Sequence, residues 1–219
     1  MRTAFIIAGM WLISLLLPQT GQGAEPAAAY YPLKPGITWE YTVVSSKAGT
    51  HKITIKNLPA RDLDGKKVTP REWNTGAGVT YYLVAADDAG VYRYGEQKSE
   101  TAEPVVATPK VYYLREPVDR GTNWDIATRM GDRQVKVNLT VDSIDDEIKV
   151  PAGTYKNCVK IKHEGEGKPE KDHPGLAITA FEWYAPGVGL VKSLVTITDR
   201  SKGAQAQETL TYQLDSFKP

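Results

Sequence analysis

Between Ile37 and Val43 the chain alternates strictly, with Ile37, Trp39, Tyr41 and Val43 on one phase and Thr38, Glu40 and Thr42 on the other. Successive side chains of a β-strand point to opposite faces, so this stretch predicts a strand with one face on the core. Gln134 to Val141 repeats the pattern, setting Val135, Val137, Leu139 and Val141 against Lys136, Asn138 and Thr140. Ile53 and Ile55 alternate with lysine and threonine, and Leu210, Tyr212 and Leu214 share one phase near the end of the chain. Further strands are expected over 67–74, 79–85, 178–184 and 190–198. About ten or eleven strands result, and no segment carries a helical period.

The joints between these segments are short and rich in turn residues. Asp62-Leu63-Asp64-Gly65 reads as a hairpin turn with Gly65 at a positive φ. Val150-Pro151-Ala152-Gly153 is a Pro/Gly turn feeding the strand that holds Cys158. In Tyr184-Ala185-Pro186-Gly187-Val188-Gly189, Pro186 presets the first central position of a turn and Gly187 suits the positive φ that follows. Gly189 suits a bulge as the return strand begins. Pro151, Gly153, Pro186, Gly187 and Gly189 are therefore structural turn residues. Joints this short connect antiparallel neighbours rather than βαβ crossovers. The expected fold is all-β, one antiparallel and strongly curved sheet forming a half-barrel or open barrel, with a two-sheet sandwich as the alternative.

Three stretches are expected to leave the ladder. Gln97 to Pro109 is polar and proline-bearing, a loop or a poorly formed edge; Asp142 to Glu147 is a bend; a charged loop follows Ile161 as far as Pro174. One internal echo stands out. Leu33-x-Pro35-Gly36-x-x-Trp39 resembles Leu114-x-x-Pro117-x-x-x-Gly121-x-x-Trp124, with the tryptophans 85 positions apart. It marks either two half-sheets, each begun by a turn that aims a Trp inward, or merely a common way to start a strand.

Composition adds the compartment. Arg2 precedes an apolar run from Ala4 to Leu17, and a turn-prone segment with small residues reaches Ala24. That layout is a secretory signal peptide, and the run is short of the roughly 20 residues of a membrane span. The expected organisation is a cleaved signal at 1–24, a spacer at 25–32 and a single β domain at 33–219, periplasmic or secreted. No cysteine stands directly behind the apolar run, so lipid attachment to a new N-terminal cysteine is not expected. Without Arg2 the 27 basic residues become 26, matching the 26 acidic ones. A chain without net charge has no electrostatic footprint for nucleic acid. Cys158 is the lone cysteine, so no internal disulfide supports the fold.

No constellation carries a recognisable reaction. His163-Glu164-Gly165-Glu166-Gly167-Lys168-Pro169-Glu170-Lys171-Asp172-His173 holds metal-ligand types, but without H-E-x-x-H spacing or a helix to fix it. It reads as a solvated loop, and neither a metal nor another cofactor is expected. Asp142 to Glu147 lacks the order of a calcium loop, and no G-x-S-x-G is present. Cys158, beside Val159 and Ile161, reads as a small core thiol. Tyr30-Tyr31, Tyr81-Tyr82, Tyr112-Tyr113 and Trp183-Tyr184 put consecutive aromatics on opposite faces. On a concave face these rings would line an apolar groove; otherwise they are cross-strand pairs.

The motifs V-P-A-G-T-Y-x-x-C-V-K-I at 150–161 and W-Y-A-P-G-V-G-L-V-K at 183–192, after Y-P-L-x-P-G-x-x-W-x-Y at 31–41, carry a resemblance. The chain resembles a group of bacterial exported proteins of unknown function, similar in layout to periplasmic β proteins of the DUF3108 kind. More distantly it is similar to the half-barrel of the lipoprotein carriers LolA and LolB. The resemblance implies a fold and an envelope location but no catalytic residue. The expected function is that of a non-enzymatic envelope protein binding an apolar small molecule, a lipid or an envelope polypeptide on the concave face of its sheet. The alternative is a hydrolytic or metal-dependent enzyme using His163 to His173.

Overall fold

The computed structural model describes residues 25–130, 133–167, 175–200 and 206–219. The expected signal peptide at 1–24, and Lys168 to Pro174 with His173, lie outside the described residues.

Thirteen strands form one antiparallel sheet. They are β1 (Thr38–Ser45), β2 (Gly49–Asn57), β3 (Arg61–Leu63), β4 (Lys66–Asn74), β5 (Val79–Asp87), β6 (Gly90–Gln97) and β7 (Val105–Arg115). The second half comprises β8 (Asn123–Met130), β9 (Arg133–Val150), β10 (Gly153–Gly167), β11 (Leu176–Ala185), β12 (Gly189–Asp199) and β13 (Ala206–Lys218). The path runs β7-β6-β5-β4-β2-β1-β13-β12-β11-β10-β9-β8, with β3 pairing only β4. The first and last strands on that path are sequence neighbours. The sheet therefore curls into a barrel that is nearly closed, with one unsealed seam between β7 and β8. This is the open barrel expected from the alternation; the sandwich is set aside, because every ladder except the short β3–β4 pairing belongs to one continuous path.

Pairing registers show which side chains look inward. Val43 faces Tyr212, Tyr212 faces Ser193, Ser193 faces Glu182, Glu182 faces Ile161 and Ile161 faces Val141. Those six form one layer of the lumen across five ladders. Each fully buried aliphatic side chain in such layers stabilises the fold by about 1.5–3 kcal/mol.

The barrel's turn end is covered. Residues 25–32, expected as a spacer, contain one helical turn, Ala27–Tyr30, with Ala27 and Tyr30 buried. The Ala27 N–H donates to Glu116, Gly187 N–H donates to the Ala29 carbonyl, and the Asn57 amide donates to the carbonyls of Pro32 and Lys34. The segment is thus tied at three points around the rim. At the same end the far part of the β9–β10 hairpin curls across β11, β12 and β13. Val150, Cys158, Trp183, Val191 and Leu214 pack beneath it, and the Trp183 indole donates to Asp146.

Of the two readings of the proline-bearing stretch, loop or edge, its second half takes the edge: β7 begins at Val105 and includes Pro109. Pro109 is tolerated there because an edge strand pairs on one side only. Two other expectations need correction. Asp142 to Glu147 lies inside a continuous β9, but the register slips on both strands. β10 has an extra residue between Tyr155 and Cys158, and β9 has extra residues between Val141 and Ser143 and between Ser143 and Asp146. The expected bend is thus an irregularity within a strand rather than a break in it. Asn157, at φ 54, marks the slip on β10. Finally, β10 continues to Gly167, so His163 to Gly167 are strand residues rather than loop. The glycines there serve close packing, since a Cβ on Gly165 would lie 2.9 Å from Val137 Cγ2.

The echo between the two tryptophans is structural. Gly36 (φ 88) donates its N–H to Asn57 and Asn57 returns one to Ile37; Gly121 (φ 90) donates to Val141 and Val141 returns one to Thr122. Three residues on, Trp39 and Trp124 are both buried, and each indole donates to a backbone carbonyl, of Val188 and of Tyr112.

Candidate functional site: the barrel lumen

A cavity of about 310 Å³ occupies the lumen. Trp39 and Tyr41 on β1, Trp73 on β4, Tyr82 on β5, Tyr113 on β7 and Tyr184 on β11 supply aromatic wall from opposite arcs of the sheet. In three of the four consecutive aromatic pairs one partner alone takes part: Tyr31, Tyr82 and Tyr184 line the cavity, whereas Tyr30, Tyr81 and Trp183 do not. Tyr112 and Tyr113 both reach it. Period-two alternation explains the division on β5 and β11, whereas Tyr30 and Tyr31 lie in and just after the helical turn. Tyr31 stacks on Tyr113 with centroids 4.9 Å apart, so the N-terminal segment itself forms the floor.

Four ionisable side chains interrupt this wall: Arg71, Arg93, His163 and Glu182. Sequence reading missed Arg71, Arg93 and Glu182. The signal was present in the phase: Glu182 sits in step with inward Ile178, Ala180 and Tyr184, where a carboxylate is out of place.

Glu182 accepts a hydrogen bond from the Tyr184 hydroxyl and lies 3.3 Å from His163 Nε2, within ion-pair distance although Nε2 is not aligned for a hydrogen bond. The 23 % of its side chain that remains accessible opens on the cavity it lines. Burial pushes its pKa up, but the neighbouring His163, when protonated, and the hydrogen bond from Tyr184 outweigh that, and the net shift is downward. The Tyr184 hydroxyl is driven well above its ordinary value, by burial first and by the Glu182 charge second, and so stays a donor.

Arg71 is 7 % exposed, and its guanidinium lies 4.2 Å from the Tyr31 ring centroid and 4.7 Å from that of Trp39. It donates to Asn57 Oδ1 and to the Pro32 carbonyl. Neutral acceptors and two ring faces hold this cation, each ring contributing about 0.5–2 kcal/mol. It locks the N-terminal segment onto β4. Arg93 is less committed. Its ion pair with Glu96 spans 3.9 Å, and its guanidinium is 5.8 Å from the Tyr82 ring centroid.

Among the described residues no three His, Cys, Asp or Glu converge as a metal site. His163 faces the lumen, apart from the outward Glu164 and Glu166. Cys158 is fully buried, and burial pushes its thiol pKa up to about 11, so it is a core thiol without nucleophilic character. Pro186 and Gly187 occupy the centre of a turn closed by Val188 N–H to the Ala185 carbonyl, with Gly187 at φ 72. Gly153 and Gly189, at φ 142 and φ 99, flank the two hairpin turns, the first beside Pro151. None of these five touches the ionisable groups of the lumen; Gly189 alone reaches the cavity wall.

Among the described residues no helix is long and apolar enough to cross a membrane. A family described as DUF3108-like matches residues 120–195, from the turn before β8 to the middle of β12. No curated protein matches the chain. Two solved structures resemble it at low identity. A candidate lipoprotein of Parabacteroides distasonis is 14 % identical over 86 % of this chain and 98 % of its own, with a TM-score of 0.48. A candidate exported protein with a YmcC-like fold from Bacteroides fragilis is 12 % identical over 90 % of this chain and 99 % of its own, with a TM-score of 0.47. The chain is thus similar, through β8 to β12, to a DUF3108-like family.

Proposed function

We propose that this chain is an exported envelope protein of the DUF3108 kind that binds a small, largely apolar ligand inside its barrel, without catalysing a reaction on it. The observation that carries the reading is the aromatic-lined cavity of about 310 Å³ in the lumen, at the lower end of the ~300–1,000 Å³ of small-molecule sites. A core selected for stability alone closes such space, because voids cost packing energy. The apolar run at 4–17 supports export, and the turn motifs at 150–161 and 183–192 support the family assignment.

Native mass spectrometry of protein purified from the periplasm tests the reading. A bound species of defined mass, released on unfolding, is the expected result. An empty protein whose melting temperature no apolar or amphipathic compound raises would overturn it.

A further inference from the structure

The seam between β7 and β8 holds a second cavity of about 490 Å³, lined by Gly95, Glu96 and Val105 to Pro109 among others. Tyr82, Arg93, Val111 and Thr128 line both this groove and the lumen. The two spaces therefore meet at these four residues, and the seam is the lateral mouth of the lumen. Its lip is apolar, with Val105 66 % and Val106 46 % exposed.

The ionisable groups of the lumen differ in how far they are already satisfied. Glu182 has Tyr184 and His163; Arg71 has Asn57, Pro32 and two rings. Among the described residues, Arg93 has only the long contact with Glu96, whose side chain is 52 % exposed, and the distant Tyr82 ring. An arginine fork at a cavity mouth, partly desolvated and with its nearest described carboxylate, Glu96, held only at 3.9 Å, matches a planar or tetrahedral oxyanion. Inward of it the wall is Val111, Ile126, Leu139, Trp73 and Tyr113. An extended peptide would leave its N–H and C=O groups unpaired against such a wall, whereas an alkyl chain would not. The volume accommodates one slim chain rather than two.

We propose that the lumen takes a single-chain anionic amphiphile, its apolar chain inside and its carboxylate or phosphate head on Arg93 at the seam. The inference rests on the reading of the lumen as a ligand site and adds the ligand's charge, its polarity and its point of entry.

Calorimetric titration of the purified protein with dodecanoate, dodecyl phosphate, dodecan-1-ol and dodecylamine, each below its micelle-forming concentration, tests it. Either anion is expected to bind at least about tenfold more tightly than the alcohol or the amine, the size of one hydrogen bond to a charged group. The two anions compared with each other tell which head is preferred. Arg93→Gln should remove that advantage while affecting dodecan-1-ol binding far less, and Arg93→Lys should restore part of it. Circular dichroism of each variant confirms the fold, which the partial exposure of Arg93 makes tolerant. Equal binding of alcohol and anions, or anion binding indifferent to Arg93, would overturn the assignment of charge and leave the lumen reading standing. Binding of none of the four would overturn both.

Discussion

The Trp124 indole on β8 donates a 3.0 Å hydrogen bond to the Tyr112 carbonyl on β7, across the boundary where the barrel has no strand ladder. One side chain therefore fastens the covered end of the seam, while the other end stays open beside Arg93. Trp124→Phe removes the donor and leaves a buried carbonyl short of a partner, at a cost of about 1–3 kcal/mol. Hydrogen exchange should quicken in β7 more than in β12, and urea melts should give the loss of stability. Uniform protection across the sheet would show that the seam is held by something else.

Gly187 sits at φ 72 in the β11–β12 turn, and a Cβ there would meet nothing within 4 Å. Any cost of substitution is therefore backbone strain, with no steric clash to confuse it. Gly187→Val should lose about 1–3 kcal/mol, and Gly187→Asn less, because asparagine tolerates the left-handed region. Urea melts of both variants compare them directly, and ligand affinity of the folded fraction should not change.

Gly90 and Gly78 make an opposed pair. A Cβ on Gly90 would come within 2.1 Å of the Leu114 carbonyl oxygen, at φ 133, where β6 starts against β7. Gly90→Ala should cost about 3 kcal/mol or more, since the obstacle is backbone and cannot swing aside. Gly78 lies in an exposed turn with open space around its Cα. Gly78→Ala should be neutral or stabilise by about 0.4–1 kcal/mol through the unfolded chain. Thermal melts of the two variants are the check.

Acid should weaken the barrel through Glu182. Its carboxyl pKa in the folded state is held below the ordinary 4.5, so as pH falls past 4.5 the unfolded chain takes up the proton first. Stability from this group is fully present above that value and is lost as pH drops through the folded pKa. Glu182→Gln should flatten the stability profile below about pH 4.5. His163→Gln removes the favourable charge, leaves burial to dominate and should move the acid transition to higher pH. Denaturant midpoints between pH 3 and 7 would show either effect.

Cys158 should be silent in the native protein. Fully buried, with its thiol pKa raised to about 11, it should resist iodoacetamide at pH 8 and react once the chain is unfolded. Rapid labelling of the folded protein would mean that the β9–β10 hairpin opens readily.

How much of this was legible from sequence depends on the range of the interaction. The strand phases of Ile37–Val43 and Val135–Val141, the turns at Asp64-Gly65 and Pro186-Gly187, and the curled all-β sheet are local consequences of period two and of backbone sterics. They are written in adjacent residues and could be read there. The extension of β10 through His163 could not, because charged residues pair as well as apolar ones once a neighbouring strand supplies the ladder; nor could the passage of β9 through Asp142–Glu147, where only Ser143 and Asp146 keep ladder partners on β10. The one-turn helix at Ala27–Tyr30 likewise has no periodicity to announce it; it exists because Glu116, Gly187 and Asn57, far apart in sequence, offer partners around one rim.

The lumen belongs wholly to tertiary structure. Sequence alone determined that consecutive aromatics on a regular strand, such as Tyr81-Tyr82, divide between two faces, but not that Tyr31, Tyr82, Tyr113 and Tyr184 would line one cavity. It placed Arg93 and Glu182 on their strand phases without showing that the sheet would close and carry both into the same space. Closure decides that, since curvature turns one face of a sheet into an interior. There a charge without a partner becomes costly, and the partners it finds, or still lacks, mark the site.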